Sequence, residues 1–402
     1  MTEANPSIRG AVVTIKIVGV GGGGNNVLMR LAESGIDKSQ LLAINTDVRQ
    51  LKKVDAAGIP ALLIGGALTK GRGTGGDPEK GQQAAISDKD SIAEAITDGQ
   101  GTDMVFITAG MGKGVGTGAA PVVAKIAHDM GILTAGMVTL PFSHEGNRKM
   151  EVARDGVKLL RQYMDALVEV KNDNIQKLPE FRQISVGESF GMVDDVLRQS
   201  IGSIVEMIQT TGVINVDFAD VTTIFKSGDN CDAVMGMGVA DNVLAAVQDA
   251  ISSPLIETSI RGARGMIVNI TSNSKLPLYD VKEANEFLYE NTHPDVENII
   301  GLVVDESLGN TVKATVIATN FDPEVIEEKN SRIKPIQFGN VEKKKPVEPL
   351  YPNQNKVKEE KPGIPASPEK PQKTTGMDDL QPISFLNRTN QLPGLGDLGK
   401  KE

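Results

Sequence analysis

Apolar residues follow two rhythms along this chain. Short β-branched runs at 12–20, 41–45, 104–108, 132–139 and 166–170 read as strands, and amphipathic stretches of helical period fill the gaps between them. Alternation on that scale predicts a mainly parallel sheet covered by helices on both faces, with ligands expected outside the carboxyl ends of the strands. From 187 to 211 the helical period persists through Phe190, Val193, Leu197, Ile201, Ile204, Val205 and Ile208, which predicts one long central helix. Beyond Asn215, strand-like runs at 266–270, 299–304 and 312–318 and helix patterns at 242–251 and 281–289 predict a second, smaller α/β unit.

The pattern dissolves after Phe321. Prolines at 323, 335, 346, 349, 352, 362, 365, 368 and 371 alternate with Lys and Glu and leave too little apolar surface to offset the entropy of ordering. Residues 321–376 are therefore expected to be a disordered linker. Apolar residues return within 377–390 as Leu380, Pro382, Ile383, Phe385 and Leu386, next to Asp378, Asp379 and Arg388. The expected division is an extension at 1–11, an α/β domain at 12–186, the central helix at 187–214, a second α/β domain at 215–320, the linker, the 377–390 peptide and a tail at 391–402.

Composition narrows the function classes. A length of 402 residues fits two or three folded units, and an aromatic content of 3% without Trp leaves the core to Ile, Val, Leu, Met and Ala. A formal charge of -10 offers no basic stripe for a phosphate backbone, so nucleic acid is not an expected partner. Cys231 is the single cysteine, which rules out an intrachain disulfide and argues against a zinc cluster; it reads as an incidental thiol, and no protein-held metal is expected. Glu3 and Lys16 do not fit a secretory leader, and Lys125, His128 and Asp129 interrupt the apolar stretch 119–142, so neither export nor membrane insertion is expected. The expected compartment is the cytoplasm.

Chemistry gathers at three places. Gly19-Val20-Gly21-Gly22-Gly23-Gly24-Asn25-Asn26 follows a predicted strand and opens a helix, so its backbone can approach an anion. It contains G-x-G-x-x-G with Asp47 near the next strand end, the outline of a dinucleotide fingerprint and by itself also compatible with a packing turn. A second cluster, Gly110-Met111-Gly112-Lys113-Gly114-Val115-Gly116-Thr117-Gly118, repeats the arrangement after the strand at 104–108. Lys113 is followed by Gly114 rather than Ser or Thr, so this is not a Walker loop; two such turns suggest a polyphosphate held mainly by backbone N–H groups. Asn215, Asp217 and Asp220 form the third cluster, with carboxylates able to polarise water. Some 20 helical residues separate Phe190 from it, roughly 30 Å at helical rise.

These blocks resemble the FtsZ family, bacterial relatives of tubulin, from about 15 to 318 and again in the tail. The likeness rests on the two glycine clusters, on Asn45-Thr46-Asp47, on Thr117-Gly118-Ala119-Ala120-Pro121, on Asn215-Val216-Asp217-Phe218-Ala219-Asp220, and on Gly262-Ala263-Arg264-Gly265. It implies a tubulin-like fold and a GTPase that polymerises through itself in the mid-cell division ring, with GTP or GDP bound and Mg2+ carried on the phosphates. Phosphates would then lie on Gly22, Gly23, Gly110, Gly112, Gly114, Gly116, Thr117 and Gly118, beside Asn26, Asn45 and Lys113, with residues from Gly73 to Asp77 sensing the γ-phosphate. Glu145 and Arg148 would lie near the ribose, and Asn25, Phe190 and Asp194 would hold the guanine. With Phe190 at the guanine, Asn215, Asp217 and Asp220 would lie too far from their own nucleotide and would be catalytic in trans on a neighbour's, and such head-to-tail stacking need not close and would build a filament. Leu380, Pro382, Ile383, Phe385, Leu386 and Arg388 would bind membrane-tethering and division-regulating proteins. Departures stand at Lys113, where the family has Gly, at Val115, where it has Thr, and at Asp77, where Asn is usual. They keep a second reading in view, a paralogue that binds nucleotide and assembles but hydrolyses poorly. A dinucleotide-dependent oxidoreductase is a third reading, supported by Gly19, Gly21, Gly24 and Asp47 and opposed by the second glycine turn and by the lack of an obvious hydride-transfer acid.

Overall fold

The computed structural model describes residues 13–99, 101–177, 184–210, 212–228, 230–253 and 260–321. The 1–11 extension, the linker beyond Phe321, the peptide containing Leu380, Pro382, Ile383, Phe385, Leu386 and Arg388, and the 391–402 tail lie outside them.

Among the described residues, ten strands form one sheet: β1 (Ile15–Val20), β2 (Leu41–Asn45), β3 (Ala61–Leu63), β4 (Met104–Gly110), β5 (Leu133–Leu140), β6 (Ala166–Lys171), β7 (Asp232–Ala240), β8 (Ala263–Ser272), β9 (Glu297–Val304) and β10 (Val312–Phe321). Their order is β3-β2-β1-β4-β5-β6-β7-β10-β8-β9. The first seven run parallel, with helical crossovers between most of them, while β10 is antiparallel to both β7 and β8. Period-two alternation sorts β1 between two cores: Ile15 and Ile17 face one side, Val18 and Val20 the other.

The predicted strands of the first half appear within a few residues of their expected limits. β3 and β7 were not among them. β7 reads Asp-Ala-Val-Met-Gly-Met-Gly-Val-Ala, and its two internal glycines weaken the β signal. Gly238 has a packing reason. A Cβ on Gly238 would lie 2.9 Å from Asp249 Cβ and inside the backbone of the helix Val243–Ile251 at Ala246 and Ala250. β7 joins the two halves of the sheet through only two residue pairs with β6, Leu167 with Asp232 and Val168 with Ala233.

The long helix spans Val186–Gln209, about 36 Å at helical rise. Its start is fixed by a capping box: Ser185 Oγ accepts from Glu188 N at 3.3 Å, and Ser185 N donates to Glu188 Oε2 at 2.7 Å. Its buried stripe, Leu197, Ile201, Ile204 and Val205, joins a core that includes β1, β4, β5, Ala233 and Met235 of β7, Ile267 of β8 and Ile317 of β10. That core is continuous beneath both halves, which lets the helix act as a common spine.

Because Gly238 admits no side chain against that helix, Gly238→Val should cost about 1–3 kcal/mol from overpacking. Urea denaturation should show a lower midpoint with an unchanged slope; an unchanged midpoint would contradict this packing.

Candidate functional site

Two glycine turns meet at the carboxyl ends of the neighbouring strands β1 and β4. The helix Gly21–Glu33 starts directly after β1, and the helix Val115–Asp129 starts five residues after β4. Gly21 adopts φ +73°, and Gly112 adopts φ +92°, conformations that favour glycine. The turns also touch: a Cβ on Gly21 would lie 2.8 Å from Gly116 N, and one on Gly23 would lie 3.1 Å from Gly110 N. Gly22 differs, since its Cβ would point into open space. Gly22, Gly23 and Asn26 are exposed, so the mouth between the two turns is accessible.

Buried polar groups fix these turns from below. With its amide oriented to satisfy its surroundings, Asn25 donates from Nδ2 to Gly19 O and Gly21 O, both at 2.9 Å, and accepts on Oδ1 from Asn45 Nδ2 at 3.1 Å. Asn45 Oδ1 in turn accepts from Thr46 N at 2.8 Å. Thr117 Oγ1 accepts from Gly112 N at 2.9 Å and closes the second turn on itself. Asn25, Asn45 and Thr117 are thus buried and internally engaged. Lys113 is exposed at the second turn, whereas Val115 is packed into the apolar cluster beside it.

Two further segments close on the second turn. Gly114 abuts Thr74, and a Cβ on it would lie 2.8 Å from Asp77 O, which brings the loop from Gly73 to Asp77 alongside. Asp77 caps the helix Pro78–Ser87 by accepting from Glu79 N at 3.0 Å. On the other side, a Cβ on Gly112 would lie 2.6 Å from Pro141 Cγ and 2.9 Å from Lys149 O. That segment carries Glu145, which accepts from Phe142 N at 3.1 Å and pairs with Lys149 at 3.1 Å, and an exposed Arg148.

Phe142, which sequence reasoning passed over, is buried beneath Phe190 with ring centroids 5.2 Å apart and nearly perpendicular planes. Its position just beyond the end of β5 was the available signal. Phe190 remains 40% exposed, which leaves a ring surface free for a planar partner. One turn along the same helix lies Asp194. Arg30 reaches across from the Gly21–Glu33 helix, with Nε 3.7 Å from Asp194 Oδ2 and Nη1 donating to Asp195 Oδ1 at 3.0 Å. A Cβ on Gly191 would lie 3.0 Å from Arg30 Nη2, so the guanidinium lies directly against that glycine. Burial pushes the Asp194 carboxyl up to about 6, with Arg30 opposing the shift and Asp195 adding to it.

Other residues resolve differently. Asp47 caps the helix Val48–Ala56 and pairs with Arg49 at 2.9 Å, which holds its carboxyl below the ordinary value. It is thereby occupied, as a ribose-binding acid would not be. Cys231 is half-buried, its thiol pushed up to about 11 by burial, and Sγ donates to Arg161 O. Among the described residues no helix is long and apolar enough to cross a membrane.

Asn215, Asp217 and Asp220 are not brought to the glycine turns. The long helix begins beside Phe142, just beyond the end of β5, and ends at Gln209, whose Nε2 donates to Val13 O, ahead of β1. The loop that follows therefore lies at the opposite end of the strands. Asp217 caps the helix Phe218–Lys226 by accepting from Ala219 N at 3.0 Å, and both carboxylates are exposed.

Residues 14–180 match the GTPase domain of the tubulin/FtsZ family, and residues 231–322 match the FtsZ family C-terminal domain. An FtsZ from M. jannaschii, solved as an empty dimer, shares 36% identity, covering 79% of this chain and 92% of that one, with a TM-score of 0.70. A substituted form of the M. jannaschii protein shares 37% identity over 78% of this chain and 93% of that one, with a TM-score of 0.71. A GTPγS-bound protofilament of CetZ2 from Haloferax volcanii, 21% identical over 80% of this chain and 97% of that one, has a TM-score of 0.66 and shares the fold. The fold and its glycine turns define a tubulin-like GTPase that binds guanine nucleotide. The chain belongs to the FtsZ family.

Asp194 yields a stability prediction. Its folded-state carboxyl titrates near 6 against an ordinary 3.8, so the native state holds the proton more tightly than the unfolded chain. Ionisation thus costs stability, increasingly as pH rises through that window and fully above it. Asp194→Asn should stabilise the nucleotide-free protein by about 2 kcal/mol at pH 7.5, and the gain should vanish near pH 4. Thermal melts at the two pH values check this; an Asn variant less stable at pH 7.5 would contradict it.

Proposed function

We propose that this protein is a cytoplasmic GTPase of the cell-division ring that assembles head to tail and completes hydrolysis in trans. The observation that carries the reading is the separation of the two half-sites by the length of the helix Val186–Gln209. A carboxylate loop beyond its far end is out of reach of the subunit's own glycine turns and is exposed to a neighbour. Stacking the carboxylate end of one subunit on the glycine end of the next is a heterologous contact, which extends without closing. The M. jannaschii FtsZ dimer supports self-association.

In this reading the phosphates bind in the mouth lined by Gly22, Gly23, Gly110, Gly112, Gly114, Gly116 and Gly118. Helix N-termini and unpaired N–H groups supply the positive end of the field. Asn25, Asn45 and Thr117 shape the turns, while Asn26 and Lys113 stand exposed beside the mouth and residues from Gly73 to Asp77 approach it from the Thr74 side. Glu145 and Arg148 flank the ribose, and Phe190 supports the guanine plane. Asp194, once ionised, accepts from guanine N–H donors. The neighbour's Asp217 and Asp220, with Asn215, orient and polarise the attacking water. Magnesium would be carried by phosphate oxygens and water, since no group of three potential ligand side chains converges among the described residues. When bound it would neutralise charge on the phosphates.

Slow hydrolysis is the second reading, favoured by Val115, whose side chain is packed inside and offers the turn no hydroxyl. Both readings share the same division of labour and differ in the wild-type rate.

Asp217→Ala and Asp220→Ala should each keep GTP affinity within about twofold while lowering turnover about a hundredfold, the scale of a lost water-activating group. Gly22→Val should fold, because its side chain meets open space, yet fail to bind GTP. Equimolar Asp217→Ala and Gly22→Val proteins should together hydrolyse more than the sum of each alone. Wild-type turnover in Asp217→Ala, or no gain on mixing, would sink the proposal.

The 377–390 peptide is proposed as the ligand for membrane-tethering and regulatory partners, on the apolar residues that reappear after the polar linker. Removal of 377–402 should spare assembly and abolish recruitment to tether-bearing membranes. Undiminished recruitment would count against it.

A further inference from the structure

The loop bearing Asn215, Asp217 and Asp220 is built onto the far edge of the sheet. β9 is the edge strand there, and the loop pairs with it as a short antiparallel bridge: Val213 N donates to Leu302 O and Leu302 N donates to Ile214 O, both at 2.9 Å. Gly212 N donates to Asn215 Oδ1, which folds the loop over this bridge. Gly212 itself lies against Leu302, where a Cβ would be 3.4 Å from Val303 Cα.

Val216 is the only buried residue between 212 and 220. It occupies a seat left by the missing side chain of Gly301. A Cβ on Gly301 would lie 2.8 Å from Val216 Cγ2 and 3.2 Å from Asn269 Oδ1, an oxygen that is itself buried without a hydrogen-bond partner. Asp217 follows Val216 directly, and Asp220 lies in the first turn of the helix that Asp217 caps. Val216 is buried and β-branched, with a stiff χ1, so a displacement of its side chain passes to the backbone that carries both carboxylates. Moving Val216 from 2.8 Å to ordinary van der Waals distance requires a shift of about 1 Å.

We propose that β9 sets the reach of the carboxylate loop toward the neighbouring subunit, with Gly301 and Val216 as positioning residues for hydrolysis. This rests on the trans reading above. It assigns the geometry of the hydrolytic half-site to the second α/β unit, remote from the nucleotide that the same subunit binds. A misplacement of that size at reacting groups costs on the order of tenfold to a hundredfold in rate.

The test compares full-length wild type, Gly301→Ala, Val216→Ala, the double variant and Asp217→Ala for GTP affinity, polymer mass and turnover per polymerised subunit. Gly301→Ala should keep affinity and polymer mass while lowering turnover at saturating GTP about tenfold or more. Val216→Ala, which leaves the seat underfilled and introduces no clash, should lower it less. The double variant, in which the new methyl occupies the vacated space, should recover turnover above Gly301→Ala. The recovery must appear in turnover at equal polymer mass, a readout that general loss of stability would not move. If Gly301→Ala fails to fold, Val216→Ala decides: unchanged turnover overturns the proposal. Unchanged turnover in Gly301→Ala, or no recovery in the double variant, overturns it as well. Should Asp217→Ala retain full turnover, the trans reading fails instead.

Discussion

Everything at the nucleotide end depends on how closely two backbone turns can approach. β1 and β4 are neighbouring parallel strands, so their axes lie about 4.8 Å apart. Each feeds a helix at the same edge, and two helix N-termini must share a space with little room for side chains. Gly21 against Gly116 and Gly23 against Gly110 are the contacts that make this possible. The result is two helix N-termini brought together at one opening, where first-turn N–H groups lack partners within their own helix. The segments around Thr74 and Pro141 then pack on the second turn, again where glycine leaves room.

The second constraint is the spine. Its N-terminal end lies beside the glycine turns, where Phe190 rests on Phe142 and Asp194 meets Arg30. The other end lies next to Val13 and hands the chain to the carboxylate loop. A single rigid element thus carries candidate base-recognition residues at one end and candidate hydrolytic residues beyond the other, with one core packed along its length. The loop also bridges to the edge of β9, so part of a strand edge that would otherwise invite indiscriminate pairing holds the candidate hydrolytic groups.

Much of this was legible in the sequence. The parallel strands announced themselves because buried β-branched runs are continuous, and the long helix because its stripe holds helical period through Phe190, Val193, Leu197, Ile201 and Ile208. β7 stayed hidden because two glycines weaken the local β signal, and one of them, Gly238, is there for a tertiary reason, the packing of a helix. The glycine turns were visible as clusters, but not the division of labour within them: Gly22 faces open space, while Asn25 and Thr117 are spent on the turns themselves. Arg30 and Phe142 were invisible because each matters through a partner more than 40 residues away in sequence. The seat of Val216 on Gly301 is likewise a contact between distant segments, and no local pattern marks it.

The proposed division of one hydrolytic site between two subunits has a direct kinetic signature. GTP turnover per subunit should be measured against protein concentration, with polymer mass followed in parallel. The account predicts negligible specific turnover in dilute protein that already binds GTP, then a rise that tracks the polymerised fraction. Specific turnover that stays constant from dilute monomer to full assembly would contradict it.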